Sequence, residues 1–329
     1  MELQKLGSTN LDVTRLGLGL AALGRPGYIT LGHADDLNHT YDPAEMERHA
    51  HAILDMAYAQ GVRYFDAARS YGRAEAYLAS WLQRRNIPSE AVTIGSKWGY
   101  TYTADWQIQA QDHEVKEHSL PRLQHQWQES QAYLSDTLKL YQIHSATLES
   151  GVLDNMDVLN ELARLKQEEN VAIGLSVSGA KQPEIIKRAI NVVIQGERLF
   201  DTVQATWNLL EPSAGKALSE ASDAGMGIII KEVLANGRLT ERNPNPTQKT
   251  LLRELTHSTG ASIDQIAIAA ALAQPWVSIV LSGAAQIAHL QSNLSSTNLI
   301  WDEAHTHQIA QLVEPAETYW QTRSDLAWN

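Results

Sequence analysis

The sequence predicts an α/β protein, a (β/α)8 TIM barrel with an amino-terminal β-hairpin and additional carboxyl-terminal helices. Short apolar segments alternate with segments of helical periodicity along most of the chain, which is typical of βαβ units and a parallel sheet. Roughly eight such units of about forty residues each favour a closed barrel over an open doubly wound sheet. No stretch has the composition of an interdomain linker, so residues 1–329 are predicted to form a single domain.

Each element follows from a local pattern. The segment 3–13 surrounds a turn-rich Gly7-Ser8-Thr9-Asn10 and predicts the hairpin. The segment 43–60 predicts a helix because Pro43 lies in its first turn and Gly61 follows its last. Helical periodicity predicts further helices at 74–85, 120–138, 156–168, 183–191, 214–224, 263–273, 285–294 and 302–313. The apolar segments between them predict strands at 14–20, from residue 64, and at 91–99, 140–146, 172–178, 202–207, 227–233 and 277–282.

Two long segments interrupt this alternation, residues 24–42 and 100–119. The first is marked by Gly and Pro, and loops of this length without regular structure are usually functional or mobile. We expect both segments to cover a substrate. Trp98, at the end of the preceding strand, and Trp106, within the second segment, are the predicted substrate contacts.

The amino-acid composition limits the kinds of molecule that this protein is expected to bind. A net charge of −12 argues against a nucleic-acid backbone, because surfaces that bind phosphate backbones are basic. The chain has no cysteine, which excludes disulfides, thiolate nucleophiles and zinc–thiolate sites. The most apolar region, 263–288, is broken by polar residues and Pro275, and the amino terminus lacks a signal-peptide pattern. These observations predict a cytoplasmic protein with a small-molecule substrate, no membrane partner and no metal, and they leave the oligomeric state open.

Four chemically apt side chains recur at the ends of successive predicted strands. Asp66 and, five residues later, Tyr71 follow one strand, Lys97 ends the next, and His144 ends the third. The carboxyl ends of the strands build the active site of a (β/α)8 barrel, so we expect these four residues to converge there.

The four residue types suit proton transfer. A buried Lys ammonium beside a phenol favours the phenolate, an Asp partner holds that Lys, and a His orients a carbonyl oxygen. Since a free Tyr has a pKa of roughly 10, a lowered pKa would let the phenol exchange a proton near neutral pH. That exchange is the acid–base half of carbonyl reduction or alcohol oxidation. No side chain can supply the hydride half, so a nicotinamide cofactor is required.

This set, in this order and with each member at a strand end, resembles the aldo-keto reductases. The resemblance covers nearly the whole chain. It rests on Asn293 and nine segments, which are Leu6-Gly7, Leu16-Gly17-Leu18-Gly19, Asp66-Ala67-Ala68-Arg69-Ser70-Tyr71-Gly72, Ser96-Lys97, Tyr141-Gln142-Ile143-His144, Gly174-Leu175-Ser176, Val203-Gln204-Ala205-Thr206-Trp207-Asn208, Leu234-Ala235-Asn236-Gly237-Arg238 and Ser282-Gly283-Ala284. It implies that Tyr71 is the general acid/base, that Lys97 and Asp66 set its pKa, and that His144 positions the substrate oxygen.

The resemblance also implies a dinucleotide site. Ser176 and Gln204 match the family's contacts to the nicotinamide carboxamide, and the loops after strands seven and eight match its pyrophosphate and adenosine contacts. The implied cofactor residues are Gly19, Ser176, Gln204, Trp207, Lys231, Val233, Leu234, Gly237, Arg238, Ser282, Gly283, Ala285, His289 and Asn293.

Several positions depart from the family pattern. Val177 stands where an Asn usually follows the Ser, and Lys231 stands where a Tyr commonly stacks on the nicotinamide, as in some bacterial members with a Lys-Glu pair. Trp207 could supply aromatic cover instead. Ala285 and His289 stand in the loop where Arg or Lys often meets the 2′-phosphate of NADP. NADP(H) is predicted as the family's commoner cofactor, with NAD(H) as the alternative.

The leading hypothesis is an NAD(P)(H)-dependent oxidoreductase that acts on a small aldehyde, ketone or sugar, with Tyr71 as general acid/base. A sugar (aldose) 1-dehydrogenase working in the oxidative direction is the near alternative, since the segment 231–239 is similar to bacterial members of that kind. A non-catalytic nicotinamide-sensing regulatory protein and a metal-dependent barrel hydrolase are the alternatives from other classes.

Overall fold

The computed structural model describes residues 1–301, 305 and 309–329. Its strands, in chain order, are β1 (Leu3–Lys5), β2 (Asp12–Thr14), β3 (Leu16–Gly19), β4 (Tyr64–Asp66), β5 (Thr93–Trp98), β6 (Tyr100–Tyr102), β7 (Glu114–Lys116), β8 (Leu138–Ala146), β9 (Ala172–Val177), β10 (Val193–Ile194), β11 (Glu197–Arg198), β12 (Thr202–Thr206), β13 (Gly227–Lys231) and β14 (Ile279–Ser282). The α-helices of the described residues are α1 (His33–Asp36), α2 (Pro43–Ala59), α3 (Ala74–Arg85), α4 (Leu120–Leu134), α5 (Met156–Glu168), α6 (Gln182–Ile190), α7 (Gly215–Asp223), α8 (Pro246–Thr259), α9 (Ile263–Leu272), α10 (Ile287–Ser295) and α11 (Ala316–Ser324).

Eight of these strands form a closed parallel barrel in the order β3-β4-β5-β8-β9-β12-β13-β14, and the predicted (β/α)8 fold is confirmed. The barrel closes where β14 pairs with β3, with Val280 opposite Leu16 and Ser282 opposite Leu18. Each barrel strand is covered by helices outside and by packed side chains inside. Parallel strands that are buried on both faces have continuous apolar sequences, which is why these segments could be predicted.

The amino-terminal hairpin closes one end of the barrel. Strands β1 and β2 pair antiparallel, as predicted. Leu6 and Val13 of this hairpin pack against barrel side chains that include Tyr64, Ile229 and Ile279. Because the amino-terminal end is filled, a ligand can enter only from the carboxyl ends of the strands.

The loops contain more regular structure than predicted. The segment 100–119 includes the antiparallel pair β6–β7, and the segment 24–42 includes the single helical turn α1. Helix α8 was not predicted, because Asn243-Pro244-Asn245-Pro246 indicates a loop. The same residues begin the helix, since the Asn245 side chain accepts from the backbone nitrogens of Thr247 and Gln248 and Pro246 occupies the first turn.

The carboxyl-terminal helix α11 packs on the outside of the barrel beside α8 and α9. Tyr319 is fully buried there, together with Leu252 and Ile266, and its hydroxyl accepts from Asn208 Nδ2 at 3.0 Å. The helix predicted at 302–313 lies partly outside the described residues, which include a 3-10 turn at Ala310–Leu312 near its end. Among the described helices, none combines the length and the apolar composition that crossing a membrane requires.

Candidate active site

The carboxyl ends of the barrel strands open into a cavity of about 550 Å³. Its lining includes one residue from each of five barrel strands, which are Gly19, Asp66, Gln204, Lys231 and Ser282. Four of them are the last residue of their strand, and Gln204 lies two residues before the end of β12. The cavity therefore runs across the barrel mouth, where the residues predicted from strand ends were expected to meet.

Asp66 is the centre of a buried polar network on the floor of this cavity. Its carboxylate pairs with the Lys97 ammonium, which also donates to the Ala67 carbonyl oxygen at 2.9 Å. The second carboxylate oxygen accepts from Gln204 Nε2 at 2.9 Å and from the Tyr64 hydroxyl at 3.2 Å. Buried charges are tolerated when they are paired and fully hydrogen-bonded, and this network meets both conditions.

Tyr71 lies above that network. Its hydroxyl is 3.5 Å from Lys97 Nζ, and its ring contacts the His144 ring edge to face, with 5.5 Å between centroids. Gly72, at φ +60°, lets the loop turn directly after Tyr71, and a Cβ there would lie 2.4 Å from the Gly24 carbonyl oxygen. Only glycine permits this close approach, so the backbone of the first long loop fixes the position of the phenol.

The pKa of Tyr71 differs from the sequence expectation. Burial, and then the charge of Asp66, raise the pKa of the Tyr71 phenol well above 10. The Lys97 ammonium, which pairs with the Asp66 carboxylate, does not outweigh these two effects. In the protein without ligand, Tyr71 therefore carries its proton at neutral pH and is ready to donate it.

His144 is held as a neutral imidazole. Its Nδ1 lies 3.4 Å from Ser70 Oγ, and its carbonyl oxygen accepts from His118 Nε2 at 2.9 Å. Burial, followed by the positive charges of Lys97 and Lys231, lowers the pKa of His144 well below 6.5. The ring can therefore donate one hydrogen bond and accept one, but it carries no charge.

A second buried charge network lies beside these residues at the end of β13. Lys231 Nζ donates to Thr206 Oγ1 at 2.8 Å and to Ser178 Oγ at 3.3 Å, and Arg323 Nε lies within 3.0 Å of both Glu232 carboxylate oxygens. Burial lowers the pKa of Lys231 to about 8. Burial alone would raise the pKa of Glu232, but Arg323 and Lys231 outweigh it and lower that pKa to about 2.

The Glu232 carboxylate should make stability depend on pH. Because its folded-state pKa, about 2, lies below the ordinary 4.5, its ionisation stabilises the protein above pH 4.5, and that contribution is lost as the pH falls from 4.5 toward 2. We expect Glu232→Gln to lower the free energy of unfolding at pH 7 by roughly 2–3 kcal/mol. Chemical unfolding at pH 7, 5, 4 and 3 should show the difference from wild type narrowing as the pH falls.

The exposed Glu317 of helix α11 provides the matched control. Glu317→Gln removes the same charge without a buried partner and should change stability little at any of these pH values. A difference between Glu232→Gln and wild type that stays constant from pH 7 to pH 3 would contradict the role given to Arg323 and Lys231.

The two long loops and the residues after α11 form the wall next to Tyr71. Arg25 is 2% exposed and donates from Nη1 to the Ser70 carbonyl oxygen and to Glu114 Oε2, both at 2.9 Å. Its guanidinium lies over the rings of Tyr71 and Trp328, at 5.4 and 4.9 Å from their centroids. Arg25, Glu114 and Trp328 all line the cavity. The loops predicted to cover the substrate therefore contribute side chains to the cavity.

The residues predicted as substrate contacts lie elsewhere. Trp98 is fully buried, and its ring packs edge to face on His118. Successive side chains of a strand point to opposite faces, so Trp98 faces away from the barrel interior that its neighbour Lys97 faces. Trp106 is turned to the first long loop, where its Nε1 donates to the Tyr41 carbonyl oxygen at 2.7 Å. Neither Trp lines the cavity.

Three predicted cofactor residues also lie outside the cavity lining. Arg238 pairs with Glu314 and lies over the Tyr319 ring, so its charge is used to hold the segment before α11. Trp207 packs against Trp276, with 5.9 Å between ring centroids, and therefore gives no aromatic cover to the cavity.

Ser176 is the third of these residues. It is fully buried, and its Oγ accepts from the Ser145 backbone nitrogen at 2.8 Å. The predicted cofactor residues that do line the cavity are Gly19, Gln204, Lys231, Val233, Leu234, Gly237, Ser282, Gly283, Ala285, His289 and Asn293.

The end of the cavity away from Tyr71 fits a dinucleotide. A Cβ added at Gly283 would meet no atom within 4 Å, so open space lies directly over that backbone. Asn236 Oδ1 is buried at the cavity without a hydrogen-bond partner. Arg242 lines the same cavity and pairs with Asp36 through two hydrogen bonds of 2.8 and 2.6 Å. Glycine backbone N–H groups and a guanidinium are donors suited to a pyrophosphate, and an amide oxygen can accept from a ribose hydroxyl.

Sequence reasoning missed several lining residues. Arg25, Arg242 and Arg323 come from loops or from α11, and Asp264 comes from the first turn of α9. None of them lies at the end of a barrel strand, where a sequence pattern could have indicated it. Among residues 1–301, 305 and 309–329, no group of three His, Cys, Asp or Glu side chains could hold a metal ion.

Known proteins match this chain over nearly its full length. The model of the aldo/keto reductase family matches residues 15–314. The uncharacterized oxidoreductase YqkF of Bacillus subtilis (strain 168) is 24% identical over 324 residues, which cover 91% of this chain and 92% of that protein. L-galactose dehydrogenase of Arabidopsis thaliana is 24% identical over 335 residues, 96% of each chain. The solved structure of aldo-keto reductase AKR11C1 from Bacillus halodurans, in its holo form, matches with a TM-score of 0.74 at 20% identity, covering 96% of this chain and 97% of the other.

Proposed function

Because the chain belongs to the aldo/keto reductase family, we propose that it is an oxidoreductase that uses a nicotinamide dinucleotide and reduces the carbonyl group of a small aldehyde, ketone or sugar. The observation that carries the proposal is the position of Tyr71 at the wall of the dinucleotide-sized cavity, with its hydroxyl 3.5 Å from Lys97 Nζ and its ring packed against the His144 ring. In this proposal Tyr71 is the general acid, Lys97 and Asp66 support it, and His144 orients the carbonyl oxygen.

The residues that would hold the cofactor lie in three parts of the cavity. Gln204 and Lys231 lie at the end near Tyr71, Gly237 and Arg242 lie in the loop after β13, and Ser282 and its neighbours lie at the far end. When bound, the nicotinamide supplies the hydride that no side chain can supply. NADP(H), predicted from the family resemblance, stays a prediction.

Tyr71 donates the proton. Negative charge develops on the carbonyl oxygen during reduction, and a phenol that is protonated in advance can transfer its proton to that oxygen. The phenolate left behind is stabilised by the Lys97 ammonium, 3.5 Å away. Asp66 holds that ammonium in place, since it bonds the same Nζ. In the oxidative direction the same groups work in reverse, and the phenolate accepts the alcohol proton.

His144 contributes orientation rather than charge. In this proposal the Ser70 hydroxyl, 3.4 Å from Nδ1, acts as the donor, and the ring is then the tautomer that carries its proton on Nε2. A neutral Nε2–H can donate to the substrate oxygen without competing with Tyr71 for the transferred proton. The edge-to-face contact with the Tyr71 ring keeps both groups on the same side of the cavity.

Oxidation of a sugar is the second candidate. The Arabidopsis relative of this chain carries the name L-galactose dehydrogenase, and the Lys231–Glu232 pair matches bacterial members with sugar-dehydrogenase activity in the family resemblance. A role as a nicotinamide sensor without turnover is the third candidate, and it needs only the dinucleotide part of the cavity.

A single set of measurements separates these candidates. The nine tryptophans allow NADPH and NADH binding to be followed separately by fluorescence quenching. Turnover is then assayed with aldehydes, ketones and aldoses in both directions. Reduction of carbonyls supports the main proposal, and oxidation of aldoses alone supports the second candidate. Binding without turnover supports the sensor, and no binding of either dinucleotide contradicts all three.

A further inference from the structure

We propose that Asp264 makes the far end of the cavity select NAD(H) over NADP(H). The inference rests on the proposed function, since it concerns which dinucleotide that function uses. It runs against the NADP(H) preference predicted from the family resemblance, and it is carried by a residue that no sequence motif singled out.

Asp264 is built into the cavity wall beside two predicted adenosine contacts. In the amide orientation that satisfies both of its polar atoms, the Asn293 nitrogen donates to Asp264 Oδ2 at 2.9 Å and its oxygen accepts from Ser282 Oγ at 2.8 Å. Ser262 Oγ donates to the other carboxylate oxygen of Asp264 at 2.5 Å. Asp264, Ser282 and Asn293 all line the cavity. The carboxylate is therefore held in one place, next to the groups expected to contact the adenosine ribose.

Among the described residues that line the cavity, each permanent positive charge already belongs to another charge network. Of the cavity's cationic side chains, Arg25, Lys231 and Arg323 belong to the networks around Tyr71, and Arg242 is already paired with Asp36 through two hydrogen bonds.

The remaining base that lines this end of the cavity is His289, whose side chain is 45% exposed. Its Nδ1 lies 3.7 Å from Asp36 Oδ1. The Asp36 carboxylate therefore competes with any anionic ligand for that ring.

The chemistry of the two dinucleotides differs only at the ribose 2′ position. NAD has a hydroxyl there, which can donate to a carboxylate, whereas NADP has a phosphate that a carboxylate repels and a guanidinium attracts. A carboxylate has about four acceptor positions, and Asp264 uses two of them within the protein. It can therefore accept a ribose hydroxyl without giving up its present bonds.

An alternative role for Asp264 is purely structural. It lies in the first turn of α9, where an acidic side chain stabilises a helix by interacting with the positive end of the helix dipole. That role predicts an equal effect of substitution on both dinucleotides, whereas selection predicts a change in their affinity ratio. The ratio of dissociation constants therefore separates the two roles.

The test is equilibrium binding to the full-length protein, followed by quenching of tryptophan fluorescence, with NADH and NADPH titrated separately. We expect wild type to bind NADH at least about tenfold more tightly than NADPH, since a like charge at contact distance costs at least that factor at a protein surface. Asp264→Asn should reduce the ratio by about tenfold, mainly through tighter NADPH binding. Rising salt should reduce the wild-type ratio by screening the repulsion.

Asp157→Asn is the matched control, because it removes the same charge from the first turn of α5, at an exposed position that does not line the cavity. It should leave the ratio unchanged. Equal or tighter binding of NADPH by wild type overturns the inference without touching the proposed function, and so does an unchanged ratio in Asp264→Asn. Failure of wild type to bind either dinucleotide overturns the proposed function and this inference with it. The ratio of dissociation constants measured for wild type tests the inference even if Asp264→Asn folds poorly.

Discussion

Tyr71→Phe should lower kcat for carbonyl reduction by about 10²- to 10⁴-fold, the range that a positioned general acid contributes. The substitution removes only the hydroxyl, because the ring that packs edge to face on His144 is retained. Dinucleotide binding should be unchanged. Steady-state kinetics, together with fluorescence titration of the dinucleotide, will measure the two effects separately.

Tyr133→Phe serves as the control for this change. Its ring is 48% exposed and does not line the cavity, so both kcat and binding should match wild type. If Tyr71→Phe retained wild-type turnover with an unchanged thermal unfolding curve, Tyr71 could not be the proton donor. The proposed mechanism would then need a different acid, and His144 would be the next residue to substitute.

Lys97→Met should have the largest combined effect on stability and activity. Asp66 is only 2% exposed, and the substitution removes the ammonium that pairs with its carboxylate. Removal of one member of a buried ion pair typically costs about 3–5 kcal/mol of unfolding free energy. Turnover should fall at the same time, because the ammonium beside the Tyr71 hydroxyl, which would stabilise the phenolate, is lost. Chemical denaturation and steady-state kinetics on the same preparation will test both.

The double variant Lys97→Met/Asp66→Asn separates the two effects. An Asn at position 66 is neutral, so it removes the unpaired charge and should recover most of the lost stability. It cannot restore the ammonium next to the phenol, so activity should stay low. Recovery of activity along with stability would show that Lys97 acts only by holding the fold, and an active, stable single variant would remove Lys97 from the mechanism altogether.

The barrel could be predicted because its strands are buried on both faces and therefore form uninterrupted apolar segments. The elements that were missed lack such a pattern. Strands β10 and β11 have two residues each, and their pairing depends on a turn at Gly196. Helix α8 begins inside a Pro- and Asn-rich stretch that indicates a loop, although Asn245 and Pro246 are also typical of a helix start.

The residues of the candidate site also fall into two groups, those that the sequence pattern predicts and those that it does not. Asp66, Lys97 and His144 follow from strand ends, because the barrel fixes where a strand end points. Arg25 and Arg242 come from loops whose path depends on contacts with distant residues, such as the pairing of Arg242 with Asp36. Arg238 follows the expected motif, but its side chain pairs with Glu314. Local sequence cannot predict a contact between two segments so far apart in the chain.

The wall beside Tyr71 joins two parts of the chain that are far apart in sequence. Tyr28 and Asn329 exchange backbone hydrogen bonds of 3.2 Å in both directions, and the Asn329 side chain accepts from His33, 296 positions away. During synthesis, the strands that carry Tyr71, Lys97 and His144 are all made well before residues 316–329. The part of the wall that comes from residues 325–329 is thus made after Tyr71, Lys97 and His144. Changes in residues 325–329 should therefore alter the wall beside Tyr71 without replacing any side chain of the Asp66–Lys97 pair or of the Glu232–Arg323 pair.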